Sequence, residues 1–516
     1  MRVQSAKGRK AAVASGHPLA TAAALGILEA GGSVADAAVG GGAALSVVLP
    51  QACSLGGDCF VLVHAGGRTH GINGSGAAPQ ALPKLVSAEQ LAVGPLSCAV
   101  PGALGALESL HRKFGKLPWA RVLKPAIDMA RNGIPVGRDL ARGMRENIER
   151  LGSDPGCSAL FLRDGQPVAE GSVLRQPGMA RSLEAIAAAD AGVFYRGPLG
   201  ERLCATVKVR GGALDPGDLK SYAPIWVEPL QTRYRGLTVC AMPPNSYGAI
   251  MLMQLAALDG CTLAGHEINS PERLRLLIIA ARESFRLGRP YIADPGAVGS
   301  SISEALSERK IAEIRAAFEA GGGQPAEIPR ARGTAVISVA NAGGDGVAIV
   351  QSVFAPFGGL VADAETGFVM NNRLMGFSTK PGDLNGPAPG KRPAHTLNPA
   401  MAFKDDRLAL VLATPGGSGQ TITLTQVLSN RIDLGLELDA AIEAPRWSMD
   451  LKGNFTLEEA LGSDMVRALA ARGIETRIAA PEQRFFFGSA ECVEIGRDGT
   501  LTAAADFRRE AGAGAI

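Results

Sequence analysis

Thr334 stands in the run Arg332-Gly333-Thr334-Ala335-Val336-Ile337-Ser338-Val339, a small hydroxyl residue after a glycine. Val336, Ser338 and Ala340 fall on one face of this segment and Ile337 and Val339 on the other, the period of a half-buried strand. The stretch before it, Gly321 to Arg332, is polar and carries Gly and Pro, as an exposed linker does. A self-cleaving precursor has this layout. If the Gly333–Thr334 bond breaks, Thr334 becomes an N-terminus, and its α-amine, with an ordinary pKa of about 7.7–8.0, can take the proton from its own hydroxyl. The plainer reading is that a Thr opening a strand is a good β-former.

A second chemical element is Ala413-Thr414-Pro415-Gly416-Gly417-Ser418-Gly419-Gln420, after the apolar run Leu408 to Leu412 and before a helix predicted from Thr421 to Asn430. A Gly pair between a strand and a helix exposes backbone N–H groups that can hold an anionic oxygen. It can equally be a tight turn. Near the N-terminus, His17-Pro18-Leu19-Ala20, Gly31-Gly32-Ser33-Val34-Ala35-Asp36-Ala37-Ala38 and Ser54-Leu55-Gly56-Gly57-Asp58-Cys59-Phe60 punctuate small-residue helices and a strand. His17 reads as the cap of the first helix.

The elements that must position these residues follow from periodicity. Helices are predicted over 17–30, 33–46, 245–260, 270–287, 303–319, 420–431, 437–444 and 462–472, and 100–220 is mostly helical. Strands are predicted over 59–64, 68–73, 237–242, 334–340, 346–353, 366–371, 399–404 and 407–413, with further strands closing the chain.

With these residues in view, the chain resembles the γ-glutamyltranspeptidase family of N-terminal-nucleophile hydrolases. The resemblance rests on an ordered set: the N-terminal motifs above, Val100-Pro101-Gly102, Pro243-Pro244-Asn245-Ser246-Tyr247-Gly248, Thr334, Phe357-Gly358, Asn371-Asn372, Lys391-Arg392-Pro393 and Pro415-Gly416-Gly417-Ser418. It implies an α/β fold, a four-layered αββα sandwich, cut autocatalytically between Gly333 and Thr334. The large chain would be residues 1–333 and the small chain 334–516, together one domain. The two chains would stay associated, and a dimer of the heterodimer is compatible with the family. Thr334 would be the nucleophile and Ser352, eighteen positions on, its supporting hydroxyl. Gly416 and Gly417 would form the oxyanion hole.

The substrate-reading positions depart from the family's pattern. Where transpeptidases hold a γ-glutamyl carboxylate with an Arg and two Ser, this chain has Ser75 and His395-Thr396. Where they hold the α-amine with Asn, Gln and Asp, it has Phe354, Arg373 and Gly376. An ammonium group there would meet a cation and an apolar ring, with no carboxylate in view. The expected substrate is therefore a small amide whose acyl group bears a carboxylate and no ammonium, read by Arg373 with His395 and Thr396. Alternatively, Arg373 is a surface residue paired with Asp363 or Glu365.

Composition bounds the rest. With 52 basic and 49 acidic residues and no Lys/Arg cluster interleaved with aromatics, nucleic acid is an unsuitable partner. The apolar run from Val34 to Leu49 is broken by Asp36 and glycines, so it predicts a buried helix rather than a membrane span. The basic N-terminus meets Gly16, His17 and Pro18 before any export core develops, which gives a cytoplasmic expectation. Eight scattered Cys and six His show no zinc spacing, and no metal or cofactor is expected.

These readings converge on an autoprocessed amidohydrolase acting on an oxamate-like monoamide, as in the family's branch that includes oxamate amidohydrolases. A glutathione-directed γ-glutamyl hydrolase or transferase and a glutaryl-type acylase are the alternatives.

Overall fold

The computed structural model describes residues 3–320, 333–450 and 453–516, so the expected linker Gly321 to Arg332 lies outside the described residues. Two seven-stranded antiparallel sheets face each other. The first runs, edge to edge, Gly512–Ala515, Ala11–Ser15, Gly333–Asn341, Gly346–Phe354, Asp58–Ala65, Arg68–Gly74 and Ile225–Val227. The second runs Gln4–Gly8, Leu501–Ala505, Glu491–Ile495, Arg407–Ala413, Ala400–Lys404, Leu237–Ala241 and Leu230–Tyr234.

The alternation around Thr334 decides which layer each residue joins. Val336 packs between the sheets with Phe60, Val350, Met401 and Val411. Ser338 faces the same way, and its hydroxyl donates to the Glu491 carbonyl of the second sheet at 2.8 Å. Ile337 and Val339 point outward onto a helical layer that includes Pro18–Glu29, Val34–Val48 and Ala103–Phe114. Beyond the second sheet, Val239, Leu410 and Leu412 meet Gly248–Asp259, Pro271–Gly288 and Gly419–Ile432. The result is the four-layered αββα sandwich.

Helix Val34–Val48 is buried along its whole length, as expected of an apolar run too interrupted to span a membrane. Ser33 Oγ accepts from the Asp36 N–H at 3.1 Å and Asp36 Oδ2 accepts from the Ser33 N–H at 2.8 Å, a reciprocal cap that starts the helix. A Cβ on Gly41 would lie 2.3 Å from Ile337 Cδ1, so glycine lets this helix settle on the strand that carries Thr334. Among the described residues no helix is long and apolar enough to cross a membrane.

The structure departs from the sequence expectation in two places along the chain. Gln4–Gly8 and Ala11–Ser15 are strands, the latter pairing with Ile337–Asn341 inside the first sheet. Its alanines carry little β preference of their own, and the neighbouring backbone decides. The strand predicted over 366–371 is only Phe368–Val369, because the Met370 and Asn371 N–H groups turn to the carbonyls of Val361 and Gly56.

Candidate active site

Thr334 and Ser352 are direct partners in adjacent antiparallel strands, which is what their spacing through one hairpin produces. Thr334 Oγ1 donates to Ser352 Oγ at 3.4 Å, and Ser352 Oγ donates to the Gly333 carbonyl oxygen. The Phe354 N–H donates to Ser352 Oγ at 2.7 Å. One hydroxyl therefore accepts twice and donates once, its normal capacity. The ladder slips at Gly333/Thr334, and Phe354 adopts φ 78°, a left-handed conformation that costs a non-glycine residue about 1–3 kcal/mol and is found chiefly at functional sites. Thr334 is 1% exposed and Ser352 fully buried.

The Gly pair sits where the sequence reading put it, after strand Arg407–Ala413 and before helix Gly419–Ile432. Gly416 has φ 130° and Gly417 φ 61°, backbone that a side chain would strain. Pro415 and Thr334 line one cavity of about 60 Å³, together with Gln51, Ser489, Glu491 and Arg509. Arg509 Nη1 donates to the Thr334 carbonyl at 3.4 Å. Glu491 is fully buried, and burial pushes its carboxyl well above the usual range although Ser489 donates to it. Neither Glu491 nor Arg509 was singled out from sequence; both come from the chain's last strands and the turns beside them.

Arg373 is fully buried, which corrects the surface alternative: Asp363 pairs with Arg202 and Glu365 with Arg181. Its Nε donates to Asp58 Oδ2 at 2.6 Å, and its guanidinium lies 4.3 Å from the Phe354 ring centroid. Asp58 also corrects the expectation that no carboxylate stands at this place. Its oxygens are occupied, however. Oδ2 serves Arg373 and lies 3.3 Å from His395 Nε2, and Oδ1 accepts from the Gly76 N–H at 3.3 Å. Burial raises the Asp58 carboxyl, but the Arg373 guanidinium outweighs it and holds the group below its usual range. Asp58 is ionised beside a guanidinium, and the pair has no net charge.

His395 is neutral: burial first, and Arg373 second, lower it to about 4. Its Nδ1 accepts from the Leu397 N–H at 3.3 Å, which places the proton on Nε2. Nε2 is near Asp58 but outside hydrogen-bond geometry. Among the described residues, Arg373 Nη1 and Nη2, His395 Nε2 and Thr396 Oγ1 are buried without a hydrogen-bond partner. All four can donate.

The remaining motifs frame this cluster. Ser75, expected to touch substrate, is buried with its hydroxyl donating to Asn73 Oδ1 at 2.6 Å and accepting from Asn245 Nδ2 at 3.3 Å. It borders the cluster, but its hydroxyl is engaged within the protein. Asn245 also donates to the Pro393 carbonyl at 2.6 Å and its own carbonyl takes the His395 N–H at 2.7 Å, so Pro243-Pro244-Asn245 cradles the His395 segment. Asn371 Oδ1 accepts from the Arg373 N–H at 3.0 Å. His17 caps the first helix as expected, its Nδ1 accepting from Leu19 N–H at 3.2 Å.

Residues 20–516 match the protein family described as Gamma-glutamyltranspeptidase. The chain is 34% identical over 453 residues to the Glutathione hydrolase-like YwrD proenzyme of Bacillus subtilis (strain 168), with 86% of each chain covered. It is 32% identical over 442 residues to the Oxamate amidohydrolase proenzyme of Klebsiella pneumoniae, covering 84% of this chain and 83% of that one. Among solved structures, a cephalosporin acylase from Bacillus halodurans matches with a TM-score of 0.91 and 31% identity, over 100% of this chain and 97% of that one.

Proposed function

The chain belongs to the γ-glutamyltranspeptidase family of amide-bond hydrolases, and from that premise we propose that it is an autoprocessing N-terminal-threonine amidohydrolase for a small carboxylate-bearing monoamide. Processing begins when Thr334 Oγ attacks the Gly333 carbonyl carbon. The hydroxyl proton ends on the Thr334 nitrogen as the C–N bond breaks, and water hydrolyses the resulting ester. The products are residues 1–333 and 334–516, held together because Gly333–Asn341 lies between Ala11–Ser15 and Gly346–Phe354 in one sheet.

In turnover the freed α-amine takes the Thr334 hydroxyl proton while Oγ attacks the substrate amide. The Gly416 and Gly417 N–H groups receive the oxyanion, a contribution for which loss of one donor typically costs about 100- to 1000-fold in rate. The amine then protonates the leaving nitrogen, and water releases the acid from the acyl-enzyme.

The observation that carries the substrate reading is the free edge of Arg373. With Nε on Asp58, Nη1 and Nη2 remain buried and unpartnered, and that pair matches the two oxygens of a carboxylate. An unpaired buried donor is costly, and a bound carboxylate would satisfy both nitrogens. Oxamate, whose hydrolase is a relative, is the smallest such monoamide. A glutaryl-type acyl group is the second reading, supported by the register. Thr334, Ser352 and Asp58 occupy three successive strands, so at about 4.8 Å per strand the Asp58 column lies about 10 Å from Thr334, room for a longer chain. Oxamate, a glutaryl anilide and glutathione, assayed on one processed sample, decide among the readings; preference for glutathione would defeat both.

A further inference from the structure

Asp58 touches the acyl-reading cluster and also shares a row with the reacting hydroxyls. It stands opposite Ser352, which stands opposite Thr334. It is fully buried, holds Arg373 by Nε at 2.6 Å, and faces His395 Nε2 at 3.3 Å. We propose that Asp58 is a positioning residue for acyl recognition, fixing the Arg373 fork so that its Nη1–Nη2 edge meets the substrate carboxylate at a set distance from Thr334. The inference rests on reading Arg373 as the carboxylate partner.

Arg373 itself lies on a single turn, Arg373–Gly376, and a guanidinium on a long stem has many rotamers. Binding at Nε fixes the plane and direction of the remaining edge, because the guanidinium is rigid. Asp58 is in turn fixed by its strand and by the Gly76 N–H. The reader is thereby indexed to the nucleophile through the sheet and not through a loop. An acyl carboxylate seated on that edge would bring its amide carbon to Thr334; a displaced fork would still bind but would present the wrong atom.

The test compares an acid with a neutral isostere on processed enzyme: oxamate against oxamide, or a glutaryl anilide against its methyl ester, whichever pair the parent hydrolyses. Asp58→Ala should lower kcat for the acid at least about tenfold and leave kcat for the isostere within about threefold. Asp58→Asn, which keeps an acceptor for Nε–H, should recover most of that loss. An equal fall for both substrates, or no recovery with Asn, would overturn the proposal, since an ion pair that only supports the fold affects both alike. If Asp58→Ala does not fold, Asp58→Glu replaces it: it keeps the charge and shifts the fork, so it should fall below Asp58→Asn on the acid. Glu above Asn would show that charge and not position matters, and would sink the idea. Arg373→Gln separates the two levels. If it leaves the acid-to-isostere ratio of kcat/KM unchanged, the substrate reading fails; if it collapses that ratio while Asp58→Ala does not, only this inference fails.

Discussion

The Ser352 hydroxyl donates to the carbonyl oxygen of Gly333 while accepting from Thr334 Oγ1, so one side chain contacts both partners of the bond proposed to break. A donor on that carbonyl polarises it toward attack and receives the developing oxyanion, the kind of contact worth about 100- to 1000-fold in rate. Ser352→Ala should therefore slow conversion to two bands by about that factor in a timed gel, and Ser352→Thr should restore it. An alanine variant that processes at the parent rate would remove Ser352 from the reaction.

Thr334 carries the second prediction. Processed protein should give a smaller band whose N-terminal sequence begins Thr-Ala-Val-Ile-Ser, and Thr334→Ala should remain a single inert chain. Turnover by an uncut chain would contradict the nucleophile assignment, because the base in the proposed mechanism is the amine that cleavage creates.

Arg373→Gln tests substrate charge. A hydrogen bond to a charged group contributes about 1.5–3 kcal/mol, and each 1.36 kcal/mol is tenfold in rate, so kcat/KM for the best acidic amide should fall about 10- to 150-fold with processing intact. The variant also strands Asp58, and breaking a buried pair costs about 3–5 kcal/mol. Its thermal midpoint should drop, and adding Asp58→Asn should recover part of that drop. Unchanged kcat/KM on the acidic amide would take Arg373 out of the site.

What the sequence made legible was local. The alternation from Val336 to Ala340 gave the faces of the Thr334 strand, and the strand–Gly-Gly–helix order gave the turn at Gly416. Asp58 was not legible, since Gly56-Gly57-Asp58-Cys59 reads as a turn entering a strand and its partner Arg373 is 315 residues away. Only the pairing of Asp58–Ala65 with Gly346–Phe354, strands distant in sequence, brings Asp58 beside Ser352. Glu491 and Arg509 reach the Thr334 cavity by the same kind of long-range contact. The first strands were missed for a related reason, as alanines become a strand there by completing a neighbour's ladder.

The buried histidines His17 and His395 predict a pH dependence of stability. Burial lowers both His17 and His395 to about 4, and each uses Nδ1 as an acceptor, which protonation there would abolish. An unfolded histidine titrates near 6.5. Between about pH 6.5 and 4 the unfolded chain binds protons that the folded one does not, so stability falls as pH falls through that window. At pH 5 the loss is about 2 kcal/mol for each histidine relative to pH 7. His17→Asn keeps a capping acceptor and should make the pH 7-to-5 drop in thermal midpoint smaller. An unchanged drop would show that His17 is not buried neutral.

Glutathione gives the sharpest contrast with the family's usual chemistry. It carries an α-ammonium beside its α-carboxylate. Bound in this cluster, that ammonium would stand near the Arg373 guanidinium and the Phe354 ring. Asp58 is the carboxylate at hand, but its charge is already balanced by Arg373 on Oδ2, and Oδ1 already accepts from the Gly76 N–H, so an ammonium would have to share it with the guanidinium. A buried charge left without a partner costs several kcal/mol, and three decades of rate correspond to about 4 kcal/mol. Hydrolysis of glutathione should therefore be at least about a thousandfold less efficient in kcat/KM than that of the best carboxylate-bearing monoamide. Both constants measured on the same processed enzyme decide the point. Comparable values would mean that Asp58 turns from Arg373 to the substrate amine, and a γ-glutamyl activity would then replace the monoamide hydrolase.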